Sequence, residues 1–235
     1  MKNKKIRAVL VVLALLFGFC VERYENQIAP QIEELPANVQ TVPFDVRYAE
    51  GSPLTGEING NVPAFTEDEL AAGPFEYYAP LDALGRCGAA SAMLDRSLMP
   101  TEERGSIGQV KPSGWHTVRY DDLIPDKYLY NRCHLIAFCL AGENANEKNL
   151  ITGTRSMNLE MLPYETQIAD YIEDTGDRVA YRVTPVFLGD ELVARGVEIE
   201  AQSVADQDAV KLHVFCYNVQ PGIEIDYATG ESRRS

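Results

Sequence analysis

The last third of the chain alternates between apolar and polar residues over two long runs. These runs are RVAYRVTPVFL (178–188) and ELVARGVEIEAQSV (191–204), and a Gly-Asp pair between them is typical of a turn. The alternation predicts a long antiparallel hairpin with one face buried. A third run, VKLHVFCYNV (210–219), follows a polar loop and predicts another strand of the same sheet.

Shorter elements are predicted upstream of this hairpin. Glu57 to Asn61 should form a short strand, and Thr66 with Glu69 matches the capping box that opens a helix. Leu81 to Leu94 is apolar with internal glycines, which predicts a short helix and a strand in the core. Long antiparallel strands interleaved with helices indicate the α+β class.

The middle of the chain predicts a strand, a long polar loop, a second strand and a helix. The first strand should begin at His134 and continue through Leu135–Leu140, and the second should cover Leu150–Thr152. The helix should run from Arg155 up to Pro163, with Asn158 about one turn from its start. Because a hairpin packed on a helix can bring two such positions to one edge, we expect His134 and Asn158 to lie close together.

The amino-terminal segment has the pattern of a targeting sequence. Four basic residues precede an uncharged, apolar run from Ala8 to Val21. This run suits a signal peptide and is shorter than the roughly 20 residues that span a bilayer. Residues 1–21 are therefore predicted to be a signal peptide or a membrane anchor, which makes the protein extracellular, either secreted or attached to the outer face of the membrane. The proline-containing residues 22–55 should be a poorly ordered linker, and residues 56–235 the folded domain.

Export changes how the cysteines are interpreted. Four cysteines lie in the predicted domain, and outside the cytosol they could form disulfides in any of three full pairings. Buried free thiols are the alternative. The four residues are Cys87, Cys133, Cys139 and Cys216.

The charge of the whole chain at first argues against a nucleic-acid partner. Twenty-one Lys and Arg face 35 Asp and Glu, a formal net charge of −14, whereas binding to phosphates needs basic residues. Residues 86–155, however, hold nine basic and eight acidic residues, so this segment carries +1. Most of the excess acid lies elsewhere, and we expect weak binding that falls steeply with salt.

Several motifs resemble one known family. NRCHLIA (131–137) and ENANEKNLITGTRSMN (143–158) are similar to the DNA/RNA non-specific endonucleases, and among them to the secreted streptococcal DNases. The similarity continues through LMPTEERGSIGQVKPSGW (98–115) and YNVQPGIEIDYATGES (217–232), and it covers residues 56–232. It implies a ββα-metal (His-Me finger) nuclease core on a central antiparallel sheet flanked by helices.

The resemblance also implies roles for the residues of the first motif. His134 stands at the position of the general base, and Asn131 and Arg132 belong to the same catalytic motif. Many members have Asp-Arg-Gly-His there, so Asn131 replaces a carboxylate by an amide. Cys133 replaces glycine and places a side chain next to the base.

The remaining roles concern the metal and the substrate. Asn158 stands at the position of the single protein ligand of a divalent cation, and Glu165 matches an outer acid of that metal group. Asn149 matches an asparagine near the metal site, which we assign to substrate binding. Arg155, together with Arg132, could bind phosphate oxygens.

The implied cofactor is Mg²⁺, with Mn²⁺ and Ca²⁺ as alternatives. The implied partner is DNA, with RNA as a second candidate. The protein is expected to be a monomer that cuts with little sequence preference and leaves 5′-phosphate ends.

The chemistry agrees with these roles. An unperturbed histidine has a pKa near 6.5 and can take a proton from water at neutral pH, and an amide oxygen is a hard ligand suited to Mg²⁺. Two other functions stay open: a nuclease-derived domain that binds nucleic acid or a protein without cutting, and a delivered antibacterial toxin. A thiol protease is disfavoured, because adjacent strand residues such as Cys133 and His134 point to opposite faces.

Overall fold

The computed structural model describes residues 45–235. The predicted signal or anchor segment, residues 1–21, and the predicted linker up to residue 44 lie outside the described residues. Between residues 45 and 235, no helix is both long enough and apolar enough to cross a membrane.

Strands dominate the described part of the chain, with a few helices between them. The strands are β1 (Thr55–Glu57), β2 (Phe75–Tyr78), β3 (Ala90–Leu94), β4 (Tyr130–His134), β5 (Leu150–Thr154), β6 (Val179–Val186), β7 (Gly196–Ser203), β8 (Lys211–Tyr217), β9 (Ile223–Ile225) and β10 (Ser232–Arg234). The α-helices are α1 (Glu67–Ala71), α2 (Phe138–Ala141) and α3 (Arg155–Thr175), and short 3-10 turns cover Asn59–Asn61 and Glu147–Asn149.

A six-stranded antiparallel sheet forms the scaffold, with the strand order β1-β8-β7-β6-β3-β2. The predicted hairpin is confirmed: β6 pairs with β7 from Val179 opposite Ser203 to Val186 opposite Gly196. The predicted third strand is also confirmed, because β8 pairs with β7 along its length. The alternation predicted these strands because one side of each packs into the main core.

One face of this sheet carries a separate ββα unit. Strands β4 and β5 form their own two-stranded antiparallel sheet, with His134 opposite Leu150. Helix α3 follows β5 directly, and its buried Met157 and Ile168 belong to the same core cluster as Tyr181 of β6. The buried amide of Asn218 joins the two sheets: Nδ2 donates to the carbonyls of Thr152 and Ala194, and Oδ1 accepts the N–H of Thr154.

The opposite face of the sheet is covered by residues 58–69. Here the predicted strand from Glu57 to Asn61 is wrong, since β1 ends at Glu57 and a 3-10 turn follows. Asn59, Gly60 and Asn61 have φ values of 49°, 62° and 62°, in the left-handed region that no strand can use. The predicted capping box is confirmed, because Thr66 and Glu69 exchange side-chain and backbone hydrogen bonds at the start of α1.

The predicted strand over Leu135–Leu140 is wrong, and His134 ends β4 rather than beginning it. After His134 the chain leaves the ladder, because the buried side-chain amide of Asn149 bonds both backbone groups of Ile136. Helix α2 then starts at Phe138. A short, continuous apolar run cannot be assigned to helix or strand from its pattern alone.

Two other boundaries differ from the prediction. Within Leu81–Leu94 only β3 is regular, because the carboxylate of Asp82 accepts the N–H groups of Leu84 and Arg86 and holds a turn instead of a helix. Helix α3 does not stop at Pro163 but continues to Thr175. Pro163 is exposed, so the carbonyl left without its helical donor faces the solvent side of the helix, where the loss costs least.

Candidate active site

His134 lies at the end of β4 with 7% of its surface exposed. Its Nε2 is 2.8 Å from the carbonyl oxygen of Asn144. Because a carbonyl oxygen can only accept, Nε2 carries the proton and Nδ1 keeps the lone pair. Nη2 of Arg104 lies 3.3 Å from Nδ1. The basic atom of the imidazole therefore faces a cationic side chain.

The surroundings of His134 keep its ring neutral. Burial is the main cause that lowers the pKa of His134, because it disfavours the charged imidazolium. The hydrogen bond to Asn144 acts in the opposite direction, and the positive charge of Arg104 lowers the pKa further. A histidine with a lowered pKa is available as a base throughout the neutral range.

Asn158 lies in the first turn of α3, as predicted, and is half-buried. The hydroxyl of Thr154 caps this helix by accepting the N–H of Met157. The Sγ of Cys133 donates to Oδ1 of Asn158 at 3.3 Å. Cys133 and His134 leave β4 towards different partners, as strand alternation requires. Cys133, which bonds Asn158, directly precedes His134 in β4, so this strand links the two predicted residues.

Both arginines predicted to bind phosphate have protein partners. The guanidinium of Arg132 stacks on the ring of Trp115, 3.9 Å from its centroid, and donates to the carbonyls of Gly108 and Val110. Arg155 forms an ion pair with Asp126. Both contacts hold loops that flank the ββα unit.

The two predicted asparagines differ in what they contact. Asn149 is fully buried and its amide pairs with the backbone of Ile136, so it shapes the chain directly after His134. Asn131 also has a buried side-chain nitrogen, but this Nδ2 has no hydrogen-bond partner among the described residues. An unpaired buried donor is unusual and marks a place where a ligand could accept a bond.

Glu165 lies two turns beyond Asn158 on α3 and is half-buried. Burial raises the pKa of its carboxyl to about 7, and the charge of Arg104 opposes this shift. Glu165 therefore titrates near neutral pH, and a nearby cation would favour its charged form.

Two residues of this site were not predicted from the sequence. Arg104 and Asn144 contact the two ring nitrogens of His134 from loops 30 residues before it and 10 residues after it. The only available signal was their position inside the motif segments that resemble the nuclease family. No local pattern shows that these two loops meet at the end of β4.

The four cysteines of the described chain are free thiols, which decides between the two alternatives for them. Cys87, for example, is buried and donates to the carbonyls of Glu147 and Leu150, each at 3.3 Å. Burial holds the pKa of the Cys87 thiol well above its usual value, to about 12. Cys133 and Cys216 are buried as well, whereas Cys139 is exposed.

Two groups of side chains could be considered for a divalent cation. In the first turn of α3, the amide oxygen of the half-buried Asn158 is a hard donor with one acceptor direction left after its bond to Cys133. Glu165 adds a carboxylate on the same helix. This donor set fits Mg²⁺, which prefers oxygen ligands and keeps most of its waters.

The second group lies on the opposite face of the central sheet. Atoms of Glu198, Glu200 and His213 lie within 4.8 Å of one another. His213 already donates from Nδ1 to the carbonyl of Val62 and contacts Glu198 through Nε2 at 2.6 Å. Arg182 bonds Glu200. The polar atoms of this group therefore already have hydrogen-bond partners within the protein, and these bonds hold residues 58–69 against the sheet.

The fold and this site define the class of the protein. The family profile described as DNA/RNA non-specific endonuclease matches residues 66–205. The chain therefore belongs to the DNA/RNA non-specific endonuclease family, which confirms the resemblance seen in the motifs and makes the protein a nuclease by family.

Solved structures agree with this assignment. The crystal structure of NucA from Streptococcus agalactiae with a magnesium ion bound is 27% identical, with 75% of this chain and 86% of that chain covered and a TM-score of 0.66. The Sda1 nuclease with a bound zinc ion is 26% identical over 68% and 82% of the two chains, with a TM-score of 0.59. An extracellular endonuclease is similar in fold alone, at 21% identity, 69% and 87% coverage and a TM-score of 0.53. The α+β, ββα-metal fold class is thereby confirmed.

Proposed function

We propose that this protein is an exported endonuclease that hydrolyses DNA, with RNA as a second substrate, with little sequence preference and with a divalent cation as cofactor. The observation that carries this proposal is the state of His134: Nε2 is fixed by the carbonyl of Asn144, and Nδ1 is free of its proton. Family membership supports phosphodiester hydrolysis. The magnesium in NucA and the zinc in Sda1 support a divalent cation, and Mg²⁺ is our first choice.

In this proposal His134 is the general base. Its Nδ1 takes a proton from the attacking water, and the Asn144 carbonyl stabilises the imidazolium that forms through the Nε2–H bond. Arg104 has to move from Nδ1 to let the water approach. A nearby phosphate would attract its guanidinium by a charge-assisted bond, so substrate binding and exposure of the base would occur together.

The cation site of this proposal consists of Asn158 Oδ1, with Glu165 as an outer acid. When bound there, Mg²⁺ offsets negative charge that grows on the phosphate and the leaving oxygen. A single neutral protein ligand holds such a cation weakly, so the substrate phosphate is expected to complete the site. The Nδ2 of Asn131 is buried and unpaired among the described residues, so a substrate oxygen would reach it only after a local rearrangement.

The remaining predicted residues divide between binding and support. The ion pair of Arg155 with Asp126 is half-exposed, and such pairs contribute at most about 1 kcal/mol. Arg155 can therefore exchange Asp126 for a phosphate at little cost. Arg132 and Asn149 are committed to backbone carbonyls and to Ile136, and we assign them the support of the loops around His134.

The products and the location of the protein are further parts of the proposal. The resemblance to this family implies 5′-phosphate and 3′-hydroxyl ends. The predicted signal or anchor at residues 1–21 supports export. We further propose that residues 56–235 form the nuclease domain and that it acts as a monomer.

A supercoiled plasmid tests the proposal directly. The full chain with Mg²⁺ should nick and linearise the plasmid, and EDTA should stop the reaction. His134→Ala should abolish cutting, whereas His116→Ala is the matched control, because His116 lies in a loop and contacts only the Thr229 carbonyl among the described hydrogen bonds. An intact plasmid with the wild-type chain under Mg²⁺, Mn²⁺ and Ca²⁺ would overturn the proposal.

A second candidate is a nuclease-like domain that binds nucleic acid or a protein without cutting. The amide of Asn131 in place of a carboxylate and the net charge of −14 favour it. Retarded migration of DNA on a gel, without cleavage under any of the three cations, would select this candidate.

A further inference from the structure

The thiol of Cys133 contacts the oxygen through which Asn158 would hold a cation. Sγ lies 3.3 Å from Oδ1, and Cys133 is 1% exposed. Because an amide oxygen can only accept, the thiol is the donor of this bond. An amide oxygen has two acceptor directions, and the thiol occupies one of them.

The space for this thiol is provided by the neighbouring strand. Gly153 of β5 has no side chain, and a Cβ there would overlap Sγ of Cys133 and lie 2.6 Å from Cε of Met157. Met157 is itself buried in the helix that carries Asn158. The thiol is therefore held between β5 and α3 with little freedom to leave Asn158.

We propose that Cys133 is a positioning residue for the metal ligand: its S–H bonds Oδ1 and so fixes the orientation of the Asn158 amide. This inference rests on the proposed function, because it takes Asn158 as the cation ligand. Cys133 would then orient the metal ligand Asn158, whereas the next residue, His134, is oriented by the carbonyl of Asn144.

Mn²⁺ binding to the full chain tests this role apart from catalysis. Mn²⁺ is titrated by electron paramagnetic resonance in the presence of a short DNA duplex, in a His134→Ala background that leaves the DNA uncut. Cys133→Ala should weaken Mn²⁺ binding by about tenfold, the low end for loss of a group that orients a ligand. Cys133→Ser keeps a donor at the same position and should stay within about twofold of the parent.

Cys216→Ala is the matched control, because it removes a buried thiol from the same core cluster without a described contact to Asn158. It should lower the melting temperature about as much as Cys133→Ala but leave Mn²⁺ binding unchanged. The role of Cys133 would be overturned if Cys133→Ala and Cys216→Ala weakened Mn²⁺ binding equally. It would also be overturned if Cys133→Ala left Mn²⁺ binding unchanged. If Asn158→Ala binds Mn²⁺ as tightly as the parent, the metal assignment itself is wrong and the role of Cys133 falls with it.

Discussion

Nη2 of Arg104 lies 3.3 Å from Nδ1 of His134, the ring atom that has no proton. Arg104 forms no ion pair with a carboxylate among the described residues. An exposed guanidinium held at a neutral base therefore keeps its full charge available for an anion. In the proposed mechanism, this contact would connect substrate binding with the protonation state of His134.

Removal of the charge of Arg104 should change the pH dependence of cutting. The cation lowers the pKa of His134, so Arg104→Ala should raise that pKa and move the acid limb of kcat/KM to higher pH. We expect a shift of about half a pH unit, because Arg104 is exposed and partly screened. Arg104→Lys keeps the charge and should leave the limb in place. An acid limb that Arg104→Ala leaves unmoved would show that the charge does not act on the base.

Glu165→Gln should stabilise the protein at alkaline pH. The folded-state pKa of about 7 lies above the ordinary 4.5, so the stability linked to this group is present below about pH 4.5 and is lost as the pH rises through 7. Glutamine avoids this loss, and the free energy of unfolding at about pH 8 should rise by about 2 kcal/mol.

Denaturant unfolding in EDTA at about pH 5.5 and about pH 8 measures the effect of Glu165→Gln. The gain should be clearly larger at the higher pH. Glu173→Gln, at an exposed acid of the same helix, serves as the control and should show no such difference. An equal gain at both values would argue against a raised pKa for Glu165.

Gly153→Ala should destabilise the fold by about 1 to 3 kcal/mol, because the new methyl group meets Cys133 and Met157 inside a filled core. Gly56→Ala is the control, since nothing lies within 4 Å of a Cβ at that strand position. Combining Gly153→Ala with Cys133→Gly should recover part of the loss, because the glycine at 133 vacates the overlapping volume. Additive losses in the double variant would contradict this packing relationship.

His213→Gln should separate stability from activity. His213 bonds Val62 and Glu198 on the face of the sheet opposite the ββα unit. Loss of these buried contacts should cost about 1 to 3 kcal/mol, seen as a lower melting temperature. Plasmid cutting well below that temperature should stay within about threefold of wild type, and abolished cutting in the folded variant would place His213 in the catalytic machinery.

The sequence pattern predicted the strands whose two faces differ in polarity. In β6, β7 and β8 one face packs apolar residues into the main core, whereas the other carries polar residues such as Arg182, Glu200 and His213. The capping box of Thr66 is a local signal that needs no tertiary information. The run after His134 gave no such signal, because Leu135, Ile136 and Leu140 are all fully buried. Its course is set by Asn149, a residue in another part of the chain.

The candidate site was predictable only as far as the motifs reach. His134 and Asn158 follow from their motifs and from the start of α3. The contacts that determine their state come from elsewhere: Arg104 approaches from a loop 30 residues away, and Arg132 turns to Trp115 and the Gly108 carbonyl. Such contacts between loops depend on tertiary packing, which the periodicity of apolar residues along the chain does not show.

The separate ladder of β4 and β5 has a consequence for motion. This ladder shares no backbone hydrogen bonds with the six-stranded sheet, and the side chain of Asn218 bridges the two. Amide exchange from the β4–β5 hairpin therefore need not await the opening of the six-stranded sheet.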